Sequence, residues 1–221
     1  MIEVKNIHKY YENLHVLKGV DLKIDKSEII SIVGASGTGK TTLLQILGTL
    51  DAFSKTDQES SLIINGNDIA SLNRKQLAKF RNENLGFIFQ FHQLLPEFTA
   101  LENVCIPAFI KRTPSGKAEK RAKELLAFLN LSHRENHKPN ELSGGEQQRV
   151  AVARALINNP AIILADEPSG NLDIESAESL HNLFFRLRDE FGQTFVIVTH
   201  NNELATMADR KLVMKDGKIV S

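Results

Sequence analysis

The sequence contains no tryptophan, a single cysteine and no net charge, and these scarcities exclude several classes of protein. One cysteine, Cys105, cannot form an internal disulfide, which is typical of a protein in a reducing compartment. The 27 basic and 27 acidic residues balance, and a chain without a basic excess has no general attraction to nucleic acid or anionic lipid. We therefore expect no nucleic-acid partner.

Long apolar runs are also missing. No stretch approaches the roughly 20 apolar residues with which a helix crosses a bilayer, and the first residues, MIEVK, do not begin the apolar core of a signal peptide. We expect a cytoplasmic protein that reaches a membrane only through a partner. Its 221 residues, 42% of them hydrophobic, suffice for one domain with a buried core.

Four short apolar runs predict the strands of a parallel sheet that is buried on both faces. Helical patterns alternate with these runs, as in other sheets of this kind. The runs cover residues 29–33, 85–89, 161–165 and 195–198, and the helical patterns cover residues 40–50, 145–158 and 176–190.

The remaining segments have other patterns. Residues 2–25 and 62–65 predict a separate antiparallel sheet, and residues 215–218 predict a hairpin turn. Residues from about 91 to 160 are mostly helical and charged, which indicates an inserted helical subdomain. The polar residues 54–61 predict a mobile loop.

Residues 34–41, GASGTGKT, match the phosphate-binding pattern G-x-x-x-x-G-K-[ST] between a buried strand and a helix. In this pattern backbone N–H groups and the helix N-terminus face the phosphates. Lys40 would reach the β- and γ-phosphates, and Thr41 would offer a hydroxyl to Mg²⁺. A glycine-rich turn without function is the alternative. The predicted nucleotide-binding residues here are Gly34, Ala35, Ser36, Gly37, Thr38, Gly39, Lys40, Thr41 and Thr42.

Polar residues end the third and fourth runs, at the sheet edge where ligands bind. Asp166 and Glu167 would be costly to bury without a cation. We predict that Asp166 binds Mg²⁺ and that Glu167, on the opposite side of the strand, orients or deprotonates the attacking water. We predict that His200 contacts the γ-phosphate. The alternatives are helix capping by the two carboxylates and a core position for His200.

Residues 142–149, LSGGEQQR, form a second candidate anion site, because Ser143 and two glycines come at the start of a predicted helix. One nucleotide does not need two distant phosphate sites in one subunit. We infer that the second site serves a nucleotide held by another copy, so that ATP joins a head-to-tail homodimer.

Taken in order, these motifs resemble those of ABC-transporter ATP-binding subunits over essentially the whole chain. The resemblance, with the strand pattern, implies an α/β fold of the P-loop NTPase (RecA-like) type, in which a mostly parallel sheet carries an N-terminal antiparallel β subdomain and the helical subdomain. One ATP-binding domain would fill residues 1–221, with the ATPase core at 1–90 and 161–221.

The resemblance also implies roles for single residues. Ser143, Gly144 and Gly145 would contact the γ-phosphate across the dimer, and Asp173 would lie at the subunit contact. Gln90 would be a catalytic residue and a Mg²⁺ ligand that connects the metal to the helical subdomain.

An aromatic residue near the N-terminus is the expected contact of adenine in this family. The resemblance assigns that role to Tyr11. Tyr10 is a neighbouring candidate, and a half-buried strand tyrosine is the alternative.

Within the family the motifs are most similar to those of the lipoprotein-releasing group, with Glu146 where many relatives carry Gln. Macrolide or peptide exporters and cell-division subunits are the alternatives. The resemblance implies a peripheral ATPase on the cytoplasmic face of the inner membrane, which uses ATP and Mg²⁺ to drive an integral membrane permease. Soluble ABC ATPases fit less well, because the chain has neither a long coiled coil nor a second tandem copy of the ATPase domain. P-loop kinases or GTPases also fit less well, because the signature helix would have no role in them.

An apolar cluster follows Gln90. The resemblance places a groove for a permease's coupling helix here, and a plain subdomain core explains the same residues equally well. The cluster consists of Leu94, Leu95, Pro96, Phe98 and Leu101.

Overall fold

The computed structural model describes residues 1–54, 56 and 59–220. This part of the chain forms ten strands and seven α-helices, with short 3₁₀ turns between some of them. The elements are β1 (Ile2–Tyr11), β2 (Leu14–Ile24), β3 (Ile29–Val33), α1 (Lys40–Leu47), β4 (Ser61–Ile64), β5 (Asn67–Asp68), α2 (Arg74–Asn84), β6 (Leu85–Phe89), α3 (Ala100–Ile110), α4 (Ser115–Phe128), α5 (Gly144–Leu156), β7 (Ile162–Asp166), α6 (Ile174–Phe191), β8 (Thr194–Val198), α7 (Asn202–Met207), β9 (Arg210–Lys215) and β10 (Lys218–Ile219).

The larger sheet has the strand order β10-β9-β3-β8-β7-β6. Of its five strand pairings, four are parallel, and the pairing of β9 with β10 at the edge is an antiparallel hairpin. All four apolar runs are therefore confirmed as strands of one mostly parallel sheet, although β7 is shifted by one residue from the predicted bounds and β8 begins one residue earlier. The carboxyl ends of β3, β7 and β8 consequently lie side by side.

Both faces of this sheet are covered, which explains why its strands are apolar without alternation. On β7, Ile163 and Ala165 pack into a cluster with residues of α3, α4, α5 and α6. Ile162 and Leu164 face the other way, into a cluster with α1 and the antiparallel sheet. Successive side chains of a strand point to opposite faces, so each face of the sheet has its own core.

The smaller sheet has the order β2-β1-β4-β5 and is antiparallel, as predicted. The segment expected to be mobile begins and ends against β1: Ser54 forms a β-bridge with His8, and the Ser60 hydroxyl donates to the Asn6 carbonyl at 2.7 Å. Residues 55, 57 and 58 of that segment lie outside the described residues. The hairpin predicted at residues 215–218 joins β9 to β10.

Three helices, α3, α4 and α5, fill most of the segment between β6 and β7. Helix ends differ from the predicted bounds for local reasons. Helix α1 ends at Leu47 instead of residue 50, because Thr49 has a φ of +56°. Helix α5 begins at Gly144 since Ser143 caps it, and α6 begins earlier than residue 176 since Asp173 caps it. Within the described residues, no helix is both long and apolar enough to cross a membrane.

Candidate ATP-binding and catalytic site

The glycine-rich loop between β3 and α1 has a backbone that only glycine adopts without strain. Gly34 has a φ of +155°, and a Cβ atom there would lie 2.2 Å from the Met214 carbonyl oxygen. Gly39 has a φ of +98° and is the N-cap residue directly before α1. The loop therefore leads directly into the helix N-terminus, where unpaired N–H groups and the helix dipole favour an anion.

Lys40 closes this loop on itself. Its Nζ atom donates to the carbonyls of Gly34 at 2.8 Å and Ala35 at 2.9 Å. The Thr38 hydroxyl donates to the same Ala35 carbonyl at 2.9 Å. When a phosphate binds, the lysine would give up its hydrogen bonds to neutral carbonyl oxygens and donate to ionised phosphate oxygens instead. Such oxygens form stronger hydrogen bonds with a cation.

A cavity of about 420 Å³ lies between this loop and the ends of β7 and β8. It gathers the loop lysine, the Thr41 hydroxyl, both predicted carboxylates and the predicted histidine. Of the predicted site residues, Gly34, Ser36, Gly37, Gly39, Lys40, Thr41, Thr42, Asp166, Glu167 and His200 line it.

Asp166 ends β7 and lines the same cavity as Thr41. Burial, followed by the charge of Glu167, raises the pKa of Asp166 above its ordinary value. Two carboxylates and a hydroxyl thus face one cavity, with the charge of Lys40 close by. This oxygen donor set suits Mg²⁺ once substrate phosphates complete it, and no described group of three or more His, Cys, Asp or Glu side chains provides a metal site by itself.

Glu167 leaves the strand geometry. Its φ is +47°, a value uncommon for residues other than glycine, while its N–H still donates to the Val198 carbonyl at 2.9 Å. The expectation that Glu167 lies on the opposite side from Asp166 is wrong, because the positive φ ends the alternation and both side chains line the same cavity. Strained residues of this kind cluster at functional sites.

His200 contacts the Glu167 carboxylate at two points. Its Nδ1 lies 2.9 Å from Glu167 Oε2, and its backbone N–H donates to the same oxygen at 3.1 Å. The His200 side chain is 73% exposed, which excludes the core position considered above. The pair places an imidazole and a carboxylate together at the open side of the cavity.

Gln90 follows β6 and lies against the turn after Glu167. Its Nε2 donates to Asn171 Oδ1 at 3.0 Å, and Asn171 Nδ2 donates back to the Gln90 carbonyl at 3.2 Å. Gln90 is not part of the cavity lining. Through these two hydrogen bonds Gln90 connects the beginning of the helical segment to the turn that follows Asp166 and Glu167.

The LSGGE segment forms a second helix N-terminus away from the first. The Ser143 hydroxyl accepts from the Glu146 N–H at 3.2 Å, and Glu146 Oε2 accepts from the Ser143 N–H at 2.8 Å. Gly145 packs against α6, since a Cβ there would lie 2.9 Å from Ser176 Oγ. Asp173 caps α6 beside it. Among the described residues that line the P-loop cavity, none comes from this segment.

The comparisons with known proteins agree with this geometry. The ABC transporter family model matches residues 17–170. The lipoprotein-releasing system ATP-binding protein LolD of Bacteroides thetaiotaomicron is 61% identical over 99% of both chains, and that of Porphyromonas gingivalis is 61% identical over 100% of this chain and 99% of its own. The chain belongs to the ABC transporter family.

Solved structures of this family have the same fold. Two dimeric structures of the ATP-binding cassette MJ0796, one of them bound to ADP and Pi, match with a TM-score of 0.89 at 41% and 42% identity. Each match covers 100% of this chain and 97% of the other. As a member of the ABC transporter family, this chain is an ATP-hydrolysing subunit.

Tyr11, the candidate adenine contact, lies beside the P-loop helix and outside the cavity lining. Its hydroxyl donates to Asp51 Oδ2 at 2.7 Å. Tyr10 stacks on His15 with ring centroids 4.0 Å apart, and Lys9 Nζ lies 4.7 Å from the centroid of the Tyr11 ring. One face of each ring therefore has a neighbour, and Tyr11 remains the candidate that the family resemblance assigns.

Sequence reasoning missed a residue that holds this site together. Gln148 of α5 is fully buried, and its Nε2 donates to the Pro168 carbonyl at 2.6 Å and the Phe89 carbonyl at 3.5 Å. It therefore joins the signature helix to the residues beside Gln90 and Glu167. Its partners are 59 and 20 residues away, so no local pattern predicts this role.

Proposed function

We propose that this chain is the ATP-hydrolysing subunit of a membrane system that releases lipoproteins, and that two copies close around ATP to drive a permease. The observation that carries the proposal is the P-loop cavity, which joins Lys40, Thr41, Asp166, Glu167 and His200 while the LSGGE segment lies outside it. The names of the LolD relatives support the assignment to lipoprotein release.

In the bound state Lys40 and the loop N–H groups hold the triphosphate. Thr41 and Asp166 would hold Mg²⁺, and Gln90 would complete that set once its amide leaves Asn171. When bound, the ion neutralises charge that develops on the phosphate oxygens. Thr41 and Asp166 line the same cavity, so the two metal-binding residues already face one site.

Glu167 serves as the base in the hydrolysis step. The backbone N–H of His200 donates to Oε2 and its Nδ1 lies 2.9 Å from the same oxygen, while in the described residues no hydrogen bond is found on Oε1. Oε1 can therefore accept a proton from water as the water oxygen bonds to the γ-phosphorus and the bond to the ADP oxygen breaks. His200 holds the carboxylate in place and turns its exposed imidazole towards the γ-phosphate.

The second helix N-terminus, at Ser143, Gly144 and Gly145, would contact the γ-phosphate of a second copy. Such a contact needs two-fold symmetry, because each copy contributes one loop and one signature. Asp173 caps the helix that packs on the signature glycines, so it would lie at the edge of the same contact. The dimeric MJ0796 structures support this arrangement.

The permease would dock beside Gln90. Leu95 is 43% and Phe98 41% exposed, whereas Leu94 and Leu101 pack against the core. The predicted cluster therefore divides into a buried part and an exposed part. Buried Asn103 fixes the exposed turn, since its Nδ2 donates to the carbonyls of both Leu95 and Phe98.

A pull-down from solubilised membranes tests this docking. Phe98→Glu should lose the permease while ATP affinity is retained, because a charge would enter an apolar contact. Phe191→Glu is the matched control: Phe191 is also exposed, at the C-terminal end of α6. Retention of the permease by the Phe98 variant would refute the docking surface. The membrane fraction from the same experiment tests the peripheral location on the cytoplasmic face of the inner membrane.

A further inference from the structure

Three side chains form a closed network around the tyrosine at the end of β1. Lys9 and Tyr11 lie two residues apart near the end of this strand, and both side chains reach Asp51. Asp51 lies just after α1 and accepts from both: Lys9 Nζ donates to Oδ1 at 2.7 Å, and the Tyr11 hydroxyl donates to Oδ2 at 2.7 Å. Each carboxylate oxygen thus holds one of the two β1 side chains.

Lys9 is unusual because it is a buried lysine, only 8% exposed. Its Nζ also donates to the Ala52 carbonyl at 2.8 Å. Burial raises the pKa of Asp51, but hydrogen bonds from Lys9 and Tyr11 outweigh this effect and hold the pKa below its ordinary value. A buried ion pair with additional hydrogen bonds is restricted to one geometry, and breaking it leaves an unpaired charge.

The Tyr11 ring is covered on one face. Lys9 Nζ lies 4.7 Å from the ring centroid, which is within the range of a cation–π contact. The residue as a whole is 44% exposed, so part of it remains accessible to a flat ligand. Aromatic rings offer such a face to bases of any sequence by stacking.

The network is also attached to the segment that leaves the P-loop helix. Asp51 follows the C-terminus of α1, and the Tyr11 hydroxyl donates to its Oδ2 at 2.7 Å. The N-terminus of the same helix follows the phosphate-binding loop. The ring is therefore held relative to this helix before any nucleotide binds.

We propose that Lys9 and Asp51 are positioning residues that hold the Tyr11 ring as a preformed stacking surface, and thereby set how much nucleotide affinity comes from the base. This inference rests on the proposed ATP-binding function. A preformed ring lowers the entropic cost of ordering a side chain on binding. The affinity for the triphosphate part should not change, because the residues proposed to contact the phosphates do not belong to the network.

The test compares ATP with inorganic tripolyphosphate, both with Mg²⁺, by titration calorimetry. The ratio of the two dissociation constants measures the contribution of the nucleoside. Tyr11→Ala should reduce ATP affinity about 5- to 150-fold, the range for loss of one stacked base, and leave tripolyphosphate affinity unchanged. Equal loss for both ligands, or no loss for either, would overturn the assignment of Tyr11 to the base, and the inference with it.

Two milder variants test the positioning itself. Tyr11→Phe keeps the ring and removes the hydroxyl, and Asp51→Ala removes the acceptor. Each should weaken ATP about 2- to 12-fold relative to tripolyphosphate, the cost of ordering one side chain, and the double variant should lose no more than either alone. If Tyr11→Ala behaves as expected while these variants bind ATP like the parent, the positioning role is wrong and the stacking role stands.

Tyrosine emission provides a second measurement in chains that keep Tyr11. The chain has no tryptophan and two tyrosines, so Tyr10→Phe leaves Tyr11 as the sole emitter and serves as the matched control. ATP should change this emission and tripolyphosphate should not. Asp51→Ala leaves Lys9 buried without its partner; if that variant does not fold, Tyr11→Phe decides the outcome alone, because it leaves the ion pair intact.

Discussion

Lys40→Ala should weaken ATP binding strongly, by an amount that follows from the free structure. In the absence of nucleotide Lys40 already donates two hydrogen bonds to neutral loop carbonyls. Binding exchanges these two bonds for two bonds to ionised phosphate oxygens, which are roughly twice as strong. At about 1–2 kcal/mol for each exchange, the variant loses about 2–4 kcal/mol, or about 30- to 900-fold in affinity.

Titration calorimetry with ATP and Mg²⁺ measures this loss. The fold should not suffer, because the Ala35 carbonyl keeps the hydrogen bond from Thr38 when the lysine is removed. Lys26→Ala is the matched control, since Lys26 is an exposed lysine that precedes β3 at its other end. A Lys40 variant that binds ATP as tightly as this control would refute the assignment of the loop to the triphosphate.

Three further outcomes are expected. His200→Ala should lower kcat about 10- to 100-fold in steady-state assays and leave the Kd for ATP unchanged, because the general base Glu167 loses the imidazole whose Nδ1 lies 2.9 Å from its Oε2; equal losses in both would contradict this role. Asp166→Asn should raise the Tm of the ligand-free protein at pH 7, since burial and Glu167 raise the pKa of Asp166 and so disfavour its ionised form in the fold. The same variant should abolish hydrolysis, because it removes a proposed Mg²⁺ ligand. An unchanged or lower Tm would contradict the first expectation. Burial lowers the pKa of His181 below 6.5 against a smaller opposing effect of Glu203, so the unfolded chain binds the proton first and the free energy of unfolding should fall as the pH drops below 6.5. Urea titrations between pH 5 and 7 should show that the free energy of unfolding depends less steeply on pH in His181→Phe than in the parent. An equal dependence on pH in the two proteins would be evidence against it.

The parallel sheet and the P-loop could be predicted because their signals are local. A strand buried on both faces is apolar throughout, and a phosphate loop needs glycines at fixed spacing before a lysine. Since parallel strands end at one edge, Asp166 and His200 could be assigned to the same site from their places after two apolar runs. The helix caps at Ser143 and Asp173 also follow from the residue type.

Contacts between distant residues could not be predicted. The ion pair of Lys9 with Asp51 joins residues 42 positions apart, and in the sequence each is one charged residue among many. The side of the strand on which Glu167 lies was predicted wrongly, because its positive φ depends on the turn to Pro168 and on the hydrogen bond to β8. Single-chain patterns contain no information on such tertiary constraints.

The most direct test of the proposed mechanism is the oligomeric state of Glu167→Gln with ATP and Mg²⁺. The substitution keeps the size of the side chain and removes the base, so ATP should bind and persist. We expect a monomer without nucleotide and a dimer with ATP by size-exclusion chromatography with light scattering, and the additional change Ser143→Arg should restore the monomer. A Glu167→Gln protein that stays monomeric at saturating ATP, or that still hydrolyses ATP at the parent rate, would contradict the account.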